Sequence, residues 1–225
     1  LLVSHILSAD MSEAPSPSSP KWRRRADARP AEIVRAAYEV FSEKGFAAAR
    51  LDEIAKRAGV SKGALYLYFE TKQDIFEAVV KDAIAPNIGA IETFVLAFPG
   101  PFDQLIRMMV PRVAEIASQS GMGKVIKMVI GESGNFPEIA RVWHDDVIAK
   151  GLGILTGVIT RAQERGEVRA GDPRQHALSI AGPLLAAVIF RETFVPVGAK
   201  PFDIPSLMQQ HLDNVLPGLL SRQPT

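Results

Sequence analysis

The chain of 225 residues contains no cysteine. That excludes disulfides, thiol catalysis and cysteine-ligated zinc, and it suits a reducing compartment. No uninterrupted apolar stretch reaches the roughly 18 residues of a membrane span, and the opening LLVSHILSAD lacks the basic flank of a signal peptide. A soluble, cytoplasmic protein with no membrane partner is therefore expected. Histidine is scarce, with four in all, and no nucleophile stands with its base and no cluster of ligands is visible, so neither an enzyme nor a cofactor is expected. WHDD offers His144, Asp145 and Asp146, but consecutive residues on a helix point about 100° apart and cannot converge on one ion, so no metal is expected. Between Lys72 and Thr225 no run alternates with period two, which leaves no strand for a sheet.

What is present is hydrophobic and unevenly charged. Hydrophobic residues make up 47% of the chain, enough for a sizeable core, and the net charge of +1 hides an asymmetry. Residues 21–72 hold 12 lysines and arginines against 7 carboxylates, whereas residues 73–225 hold 14 against 16. A small basic unit thus precedes a larger, slightly acidic one, and basic surface favours a polyanion such as nucleic acid. Residues 1–20, with SEAPSPSSP after Met11, read as a disordered leader or an upstream start.

Helical spacing dominates the remainder. ARPAEIVRAAYEVFSEKG places Ile33, Val34, Ala37, Tyr38, Val40 and Phe41 on a helix, with Pro30 in its first turn and Gly45 at its C-terminal cap. LDEIAKRAG makes a short second helix, with Asp52 and Glu53 in the first turn and Gly59 ending it. GALYLYF alternates like a strand, yet Ser61 is a good N-cap and Leu65 and Phe69 fall on one side at i and i+4. A third short helix results, whose outer face carries Lys62, Gly63, Tyr66 and Leu67, with Tyr68 and Lys72 near its end. From Lys72 onward the pattern gives one helix bent near Pro86 and five more, about nine in all, punctuated by proline and glycine.

The first three helices meet the specification of a helix-turn-helix: Ala55 small at the crossing, Gly59 at the turn, Val60 and Leu65 filling the angle. Lysines and a tyrosine hydroxyl can bond phosphate oxygens, Tyr66 and Leu67 can touch thymine methyls, and Gly63 lets the helix sit deep in a groove. No Arg, Asn or Gln lies on this helix for bidentate base contacts, so apolar contacts and DNA shape would carry part of the specificity. KWRRRADAR, including Arg25, forms a basic arm that could follow the backbone or enter a minor groove.

IVRAAYEVFSEKGFAAARLDEIAKRAGVSKGALYLYFETKQDIFEAVV resembles the N-terminal domain of the tetracycline-repressor (TetR) family, most closely over IAKRAGVSKGALYLYFETK. The resemblance implies an all-α homodimer: a three-helix helix-turn-helix DNA-binding domain, a C-terminal helical ligand-binding and dimerisation domain, and a palindromic double-stranded operator released by a small effector. It places the recognition helix at Ser61 to Tyr68, and the DNA-contacting set at Arg25, Arg50, Ser61, Lys62, Gly63, Ala64, Tyr66, Leu67, Tyr68 and Lys72. Tyr66 would sit at base edges, and Tyr68 and Lys72 on phosphates. Arg50 stands where the family often has a threonine cap, and it can still reach the phosphate.

The C-terminal unit is less distinctive. Met108, Met109, Met122, Met128, Phe136 and Trp143 suit an apolar effector cavity or plain core. Glu132 shares a face with Val125, Met128 and Val129, so it either orients a ligand or caps the helix beginning near Pro137. DPRQHALSIAGPLLAAVIFRETF and IPSLMQQHLDNVLPGLL are expected at residues 173–195 and 203–220 as two helices per chain in a dimer interface. A ligandless regulator, whose C-terminal domain serves only dimerisation or partner binding, stays open at this point.

Overall fold

The computed structural model describes residues 21–81, 85–119 and 122–221. The expected leader lies outside the described residues, as do the side chains of residues 21–28 and with them Arg25. Backbone through the basic arm is helical and runs into α1, Lys21–Ala48, so the first helix starts earlier than its periodicity indicates and carries Pro30 inside it. Gly45, at φ 80° and ψ 173°, interrupts α1 before one last turn to Ala48. That backbone region is essentially restricted to glycine, which is what the C-terminal cap required.

After α1 come α2 (Leu51–Arg57), α3 (Lys62–Tyr66), α4 (Lys72–Val79), α5 (Ala85–Ala97), α6 (Phe102–Gln119), α7 (Met122–Glu132), α8 (Pro137–Trp143), α9 (Ala149–Glu164), α10 (Pro173–Phe194) and α11 (Ile204–Leu219). One of the nine expected helices is split, since a π turn, His144–Ile148, interrupts the one from Pro137 to Glu164. The one bent near Pro86 is described as α4 and α5, with residues 82–84 between them outside the described residues. Among the described residues these helices are joined by turns and loops, and the one β pairing is an isolated antiparallel bridge between Val168 and Leu220.

Two apolar clusters hold these helices. The first gathers Ile33, Ala37, Val40 and Phe41 of α1 with Ile54 and Ala55 of α2, Leu65 of α3, and Ile75, Phe76 and Val79 of α4. It does not stop at the basic unit, because Val125, Met128 and Val129 of α7 and Ile139 and Trp143 of α8 belong to it. The core of the N-terminal helices, the head, therefore reaches past residue 72 and is continuous with part of the C-terminal bundle. The second cluster joins α6, α9, α10 and α11 through Phe102, Ile106, Ile159, Ile180, Met208 and Leu212. Each fully buried side chain of this size contributes roughly 1.5–3 kcal/mol.

α10 stands apart. The stretch Pro173–Val197 is long and apolar enough to cross a membrane by length and composition, yet it packs on α9, α11 and α7 as a bundle helix. Only 17% of its most apolar window is buried, so much apolar surface is left uncovered within one chain.

The C-terminal bundle is closed by a carboxylate. Glu167 Oε2 accepts from the Phe102 N–H at 2.6 Å, capping the start of α6, while Oε1 accepts from Arg165 Nε at 2.5 Å. The hydrogen bond from Arg165 first, then that from the Phe102 backbone, holds the Glu167 carboxyl below its ordinary 4.5, against the opposing effect of burial. A depressed carboxylate contributes stability above its unfolded value and loses it as pH falls through the folded one. Glu167→Gln should lower the unfolding free energy by about 1 kcal/mol at neutral pH, and the difference from the parent should shrink below about pH 4. Urea denaturation at both pH values measures it, and a difference that stays constant with pH would exclude the carboxylate as the cause.

Candidate nucleic-acid interface and apolar cavity

Ser61 begins α3 as the spacing required: its Oγ accepts from the Ala64 N–H at 3.1 Å. Gly59, at φ 68°, makes the turn, and the Val60 N–H donates to the Ala55 carbonyl at 3.0 Å. Leu65 is fully buried and anchors the helix. α3 is shorter than the expected Ser61 to Tyr68, because the Tyr68 and Phe69 N–H groups both turn back to the Leu65 carbonyl, at 3.0 and 3.1 Å. The anchor and the turn push the neighbours outward: Tyr66 is 45% exposed, Leu67 81% and Tyr68 38%. A Cβ added to Gly63 would meet nothing within 4 Å, so glycine there leaves bare surface rather than relieving a clash.

The cations around α3 divide into held and available ones. Arg57 is clasped by Glu43 at 2.7 and 2.8 Å, which raises its pKa chiefly through that hydrogen bond. Lys62 pairs with Asp52 at 2.7 Å on the surface, raising its own pKa and lowering that of the carboxylate. An exposed pair of this kind is weak and easily exchanged for a phosphate. Arg50 heads α2 with no side-chain cap, and its side chain is 79% exposed.

Lys72 is placed differently from the phosphate contact that the resemblance implies. Its Nζ donates to the carbonyl oxygens of Phe46, Ala47 and Ala49 at 2.6, 3.1 and 3.1 Å, and lies 4.6 Å from the centre of the Phe46 ring. An ammonium has three donors, and three carbonyls take them. Burial lowers the Lys72 pKa, and the nearby Glu132 opposes that. In this arrangement Lys72 fastens α4 to the segment after Gly45.

Glu132 completes the same junction. Neither sequence reading for it describes the geometry: its Oε1 accepts from the Phe46 N–H at 3.1 Å and its Oε2 from the Ala47 N–H at 2.6 Å. A Cβ on Gly45 would stand 2.4 Å from Oε1. α8, beginning at Pro137, has no side-chain cap at Phe136. Instead the Phe136 ring meets Phe46 edge-on at 5.2 Å, and Phe46 packs on Phe41 and Phe76.

The other end of α7 faces a cavity of about 310 Å³. Met109 of α6, Met122 and Ile126 of α7, Leu152 of α9 and Val188 of α10 line it along with Trp143. Of the seven candidate residues, Met109, Met122 and Trp143 are in the lining; Met108 is 54% exposed, and Met128, Glu132 and Phe136 belong to the junction with the N-terminal helices. Ile126 and Leu152 carry no signal in the sequence, since a cavity-facing position repeats with the same period as a packed one. Among the described residues no three His, Cys, Asp or Glu side chains are grouped to hold a metal, and His144 Nδ1 is 2.7 Å from Asp145.

Residues 33–79 match the family described as "Bacterial regulatory proteins, tetR family", and residues 101–200 match "Tetracyclin repressor-like, C-terminal domain". The transcriptional repressor BepR of Brucella suis is 29% identical over 173 residues, 72% of this chain and 83% of its own. The fatty acid metabolism regulator protein of Bacillus subtilis is 26% identical over 140 residues, 62% of this chain and 71% of its own. The crystal structure of FadR from Bacillus subtilis in complex with stearoyl-CoA superposes with a TM-score of 0.67 at 25% identity, covering 83% of this chain and 96% of that one.

The junction makes a direct demand on Gly45. Gly45→Ala places a side chain in a glycine-only region and into the Glu132 carboxylate, and should destabilise the protein by about 2–3 kcal/mol in chemical denaturation. An unchanged midpoint would mean that the carboxylate does not occupy that position.

Proposed function

We propose, from the premise that the chain belongs to the tetR family of bacterial regulatory proteins, that it represses transcription in the cytoplasm by binding a palindromic operator as a homodimer, and that a small, largely apolar effector releases it. One observation carries this reading: α7 lines an apolar cavity at one end and holds the reading head by a carboxylate at the other. The cavity favours a ligand-responsive regulator over one whose C-terminal domain only dimerises. The relatives support it, since one is a repressor, one regulates fatty acid metabolism and one was solved with stearoyl-CoA.

The DNA-reading surface is the protrusion Tyr66–Leu67–Tyr68 with Gly63 between it and the groove floor, flanked by Arg50 and Lys62. Ser61 and Ala64 act by fixing the start of α3, where Ser61 and the first backbone N–H groups can meet a phosphate. Dimerisation uses the uncovered face of α10, where Leu178 and Phe194 are exposed, with Val197 and Phe202 beyond its end. α11 contributes less, because Ile204, Met208, Leu212 and Leu216 are buried in its own chain. Two heads about 34 Å apart would then enter successive major grooves.

Release runs through α7. An effector that packs on Met122 and Ile126 favours a position of α7 in which Glu132 no longer holds Phe46 and Ala47 as it does here. Lys72 links that segment to α4, so the head turns relative to the bundle. A coupling of about 1–3 kcal/mol gives roughly 5- to 150-fold weaker operator binding.

Selection of bound DNA from a random pool should return an inverted repeat. Tyr66→Ala should weaken binding to the selected sequence by about 1–3 kcal/mol with little change on random DNA; equal loss on both would remove Tyr66 from the base edges. A second test concerns the coupling. A panel of apolar compounds screened for operator release supplies a ligand, and Glu132→Gln should bind it as before, while the factor by which it weakens operator binding falls toward one. If that factor is retained in the variant, coupling does not pass through Glu132.

A further inference from the structure

The apolar cavity has a neighbour. A second space of about 530 Å³ lies between α5 and α9, lined by Lys150, Gly153, Gly157 and Arg161 of α9 and by Glu92 of α5. Ile88 and Ile154 line both spaces, so the two meet across those side chains. Their chemistry differs sharply. The first has no charged side chain in its lining, and its one side-chain N–H is the Trp143 indole. The second carries two cations, Lys150 and Arg161, and one carboxylate, Glu92.

The two cations are not equivalent. Lys150 is paired with Asp146 at 2.7 Å. Arg161 forms no ion pair with any described residue, Glu92 included. Its guanidinium nevertheless lies back along the helix, with Nη1 3.5 Å from the place a Gly157 Cβ would take. Arg161 is an exposed residue, and this position puts its charge beside the groove. Glycine weakens a helix interior, yet Gly153 has no positive φ and a Cβ there would meet nothing within 4 Å. Neither backbone conformation nor packing against a neighbour accounts for Gly153; what its bare backbone provides is room in the groove, one helical turn before Gly157.

We infer that the effector is amphipathic, an aliphatic chain in the apolar cavity carrying an anionic head group that Arg161 holds in the adjoining groove. This rests on the effector reading above and narrows it to one chemical class. An apolar lining of this kind offers a charged head no hydrogen-bonding partner beyond one indole, so a charge is tolerated only outside it. A guanidinium presents a planar fork suited to a carboxylate or a phosphate, and Glu92 on the opposite wall favours a head of low charge.

Laurate, dodecyl phosphate and dodecanol share one chain and differ in the head. Titrated calorimetrically into the full-length protein, at least one of the two anions should bind three- to tenfold tighter than dodecanol, and the tighter anion identifies the head group as carboxylate or phosphate. Arg161→Gln, a change at an exposed position, should abolish that preference while leaving dodecanol affinity unchanged, and salt should weaken the anions alone. Equal affinity for all three compounds, or equal loss of all three in the variant, overturns the inference and leaves an uncharged apolar effector standing. If none of the three binds, both the inference and the effector reading beneath it fall.

Discussion

The structure depends on how one carboxylate is held. Glu132 closes α7 by accepting from two backbone N–H groups that lie more than eighty residues away in the chain, just beyond the break in α1. Those groups are orphans created by Gly45, whose backbone conformation ends the regular helix. The carbonyls of the same segment face the other way and are taken by Lys72. A break in one helix thus has its donors satisfied by an acid from the bundle and its acceptors by a base from the head. Removing either partner leaves the part-buried backbone groups of Phe46 and Ala49 unsatisfied, at a cost of about 1–3 kcal/mol each, while those of Ala47 are open to water.

This arrangement decides what the reading head can be. α3 is a single turn, too short to hold its own shape; Leu65 beneath it and Ser61 before it keep it helical. Its orientation is inherited from the core it rests on, and that core includes Val125, Met128 and Val129 of α7. The head is therefore not a separate body on a linker. Whatever repositions α7 acts on the core it shares with α3 and on the break in α1 at once.

Local chemistry was legible in the sequence, and long-range chemistry was not. Ser61, Gly59 and Leu65 act within one or two turns of themselves, and propensity and spacing read them correctly, including the helix hidden in an alternating ALYLYF. Gly45 was legible as a helix end for the same reason. Glu132 was not, because its partners are backbone groups, identical in every residue, and no spacing links position 132 to positions 46 and 47. Lys72 was legible only as a cation: a lysine after a basic motif suggests an anion, whereas the carbonyl oxygens that take its donors here are invisible in a sequence. The cavity was illegible on other grounds. Met109 and Met108 are adjacent and alike, yet one lines the cavity and the other faces solvent, and only the packing of α6 on its neighbours decides which.

The same junction sets a limit on regulation. Hydrogen bonds to a charged acceptor contribute about 1.5–3 kcal/mol each, so two of them on Glu132 hold the head by an amount comparable to the whole coupling of a typical allosteric protein. A ligand can shift the equilibrium only by the difference in its affinity for the two states. It therefore cannot break the junction outright and recover nothing; the second state must offer the Phe46 and Ala47 N–H groups another acceptor or water. Their surroundings allow this, since Ala47 and Glu132 lie where solvent can enter while Phe46 is buried. Exchange of one hydrogen-bond set for another at a partly wet seam, with the aromatic contacts of Phe46 kept, provides a small enough difference for a modest apolar ligand to decide.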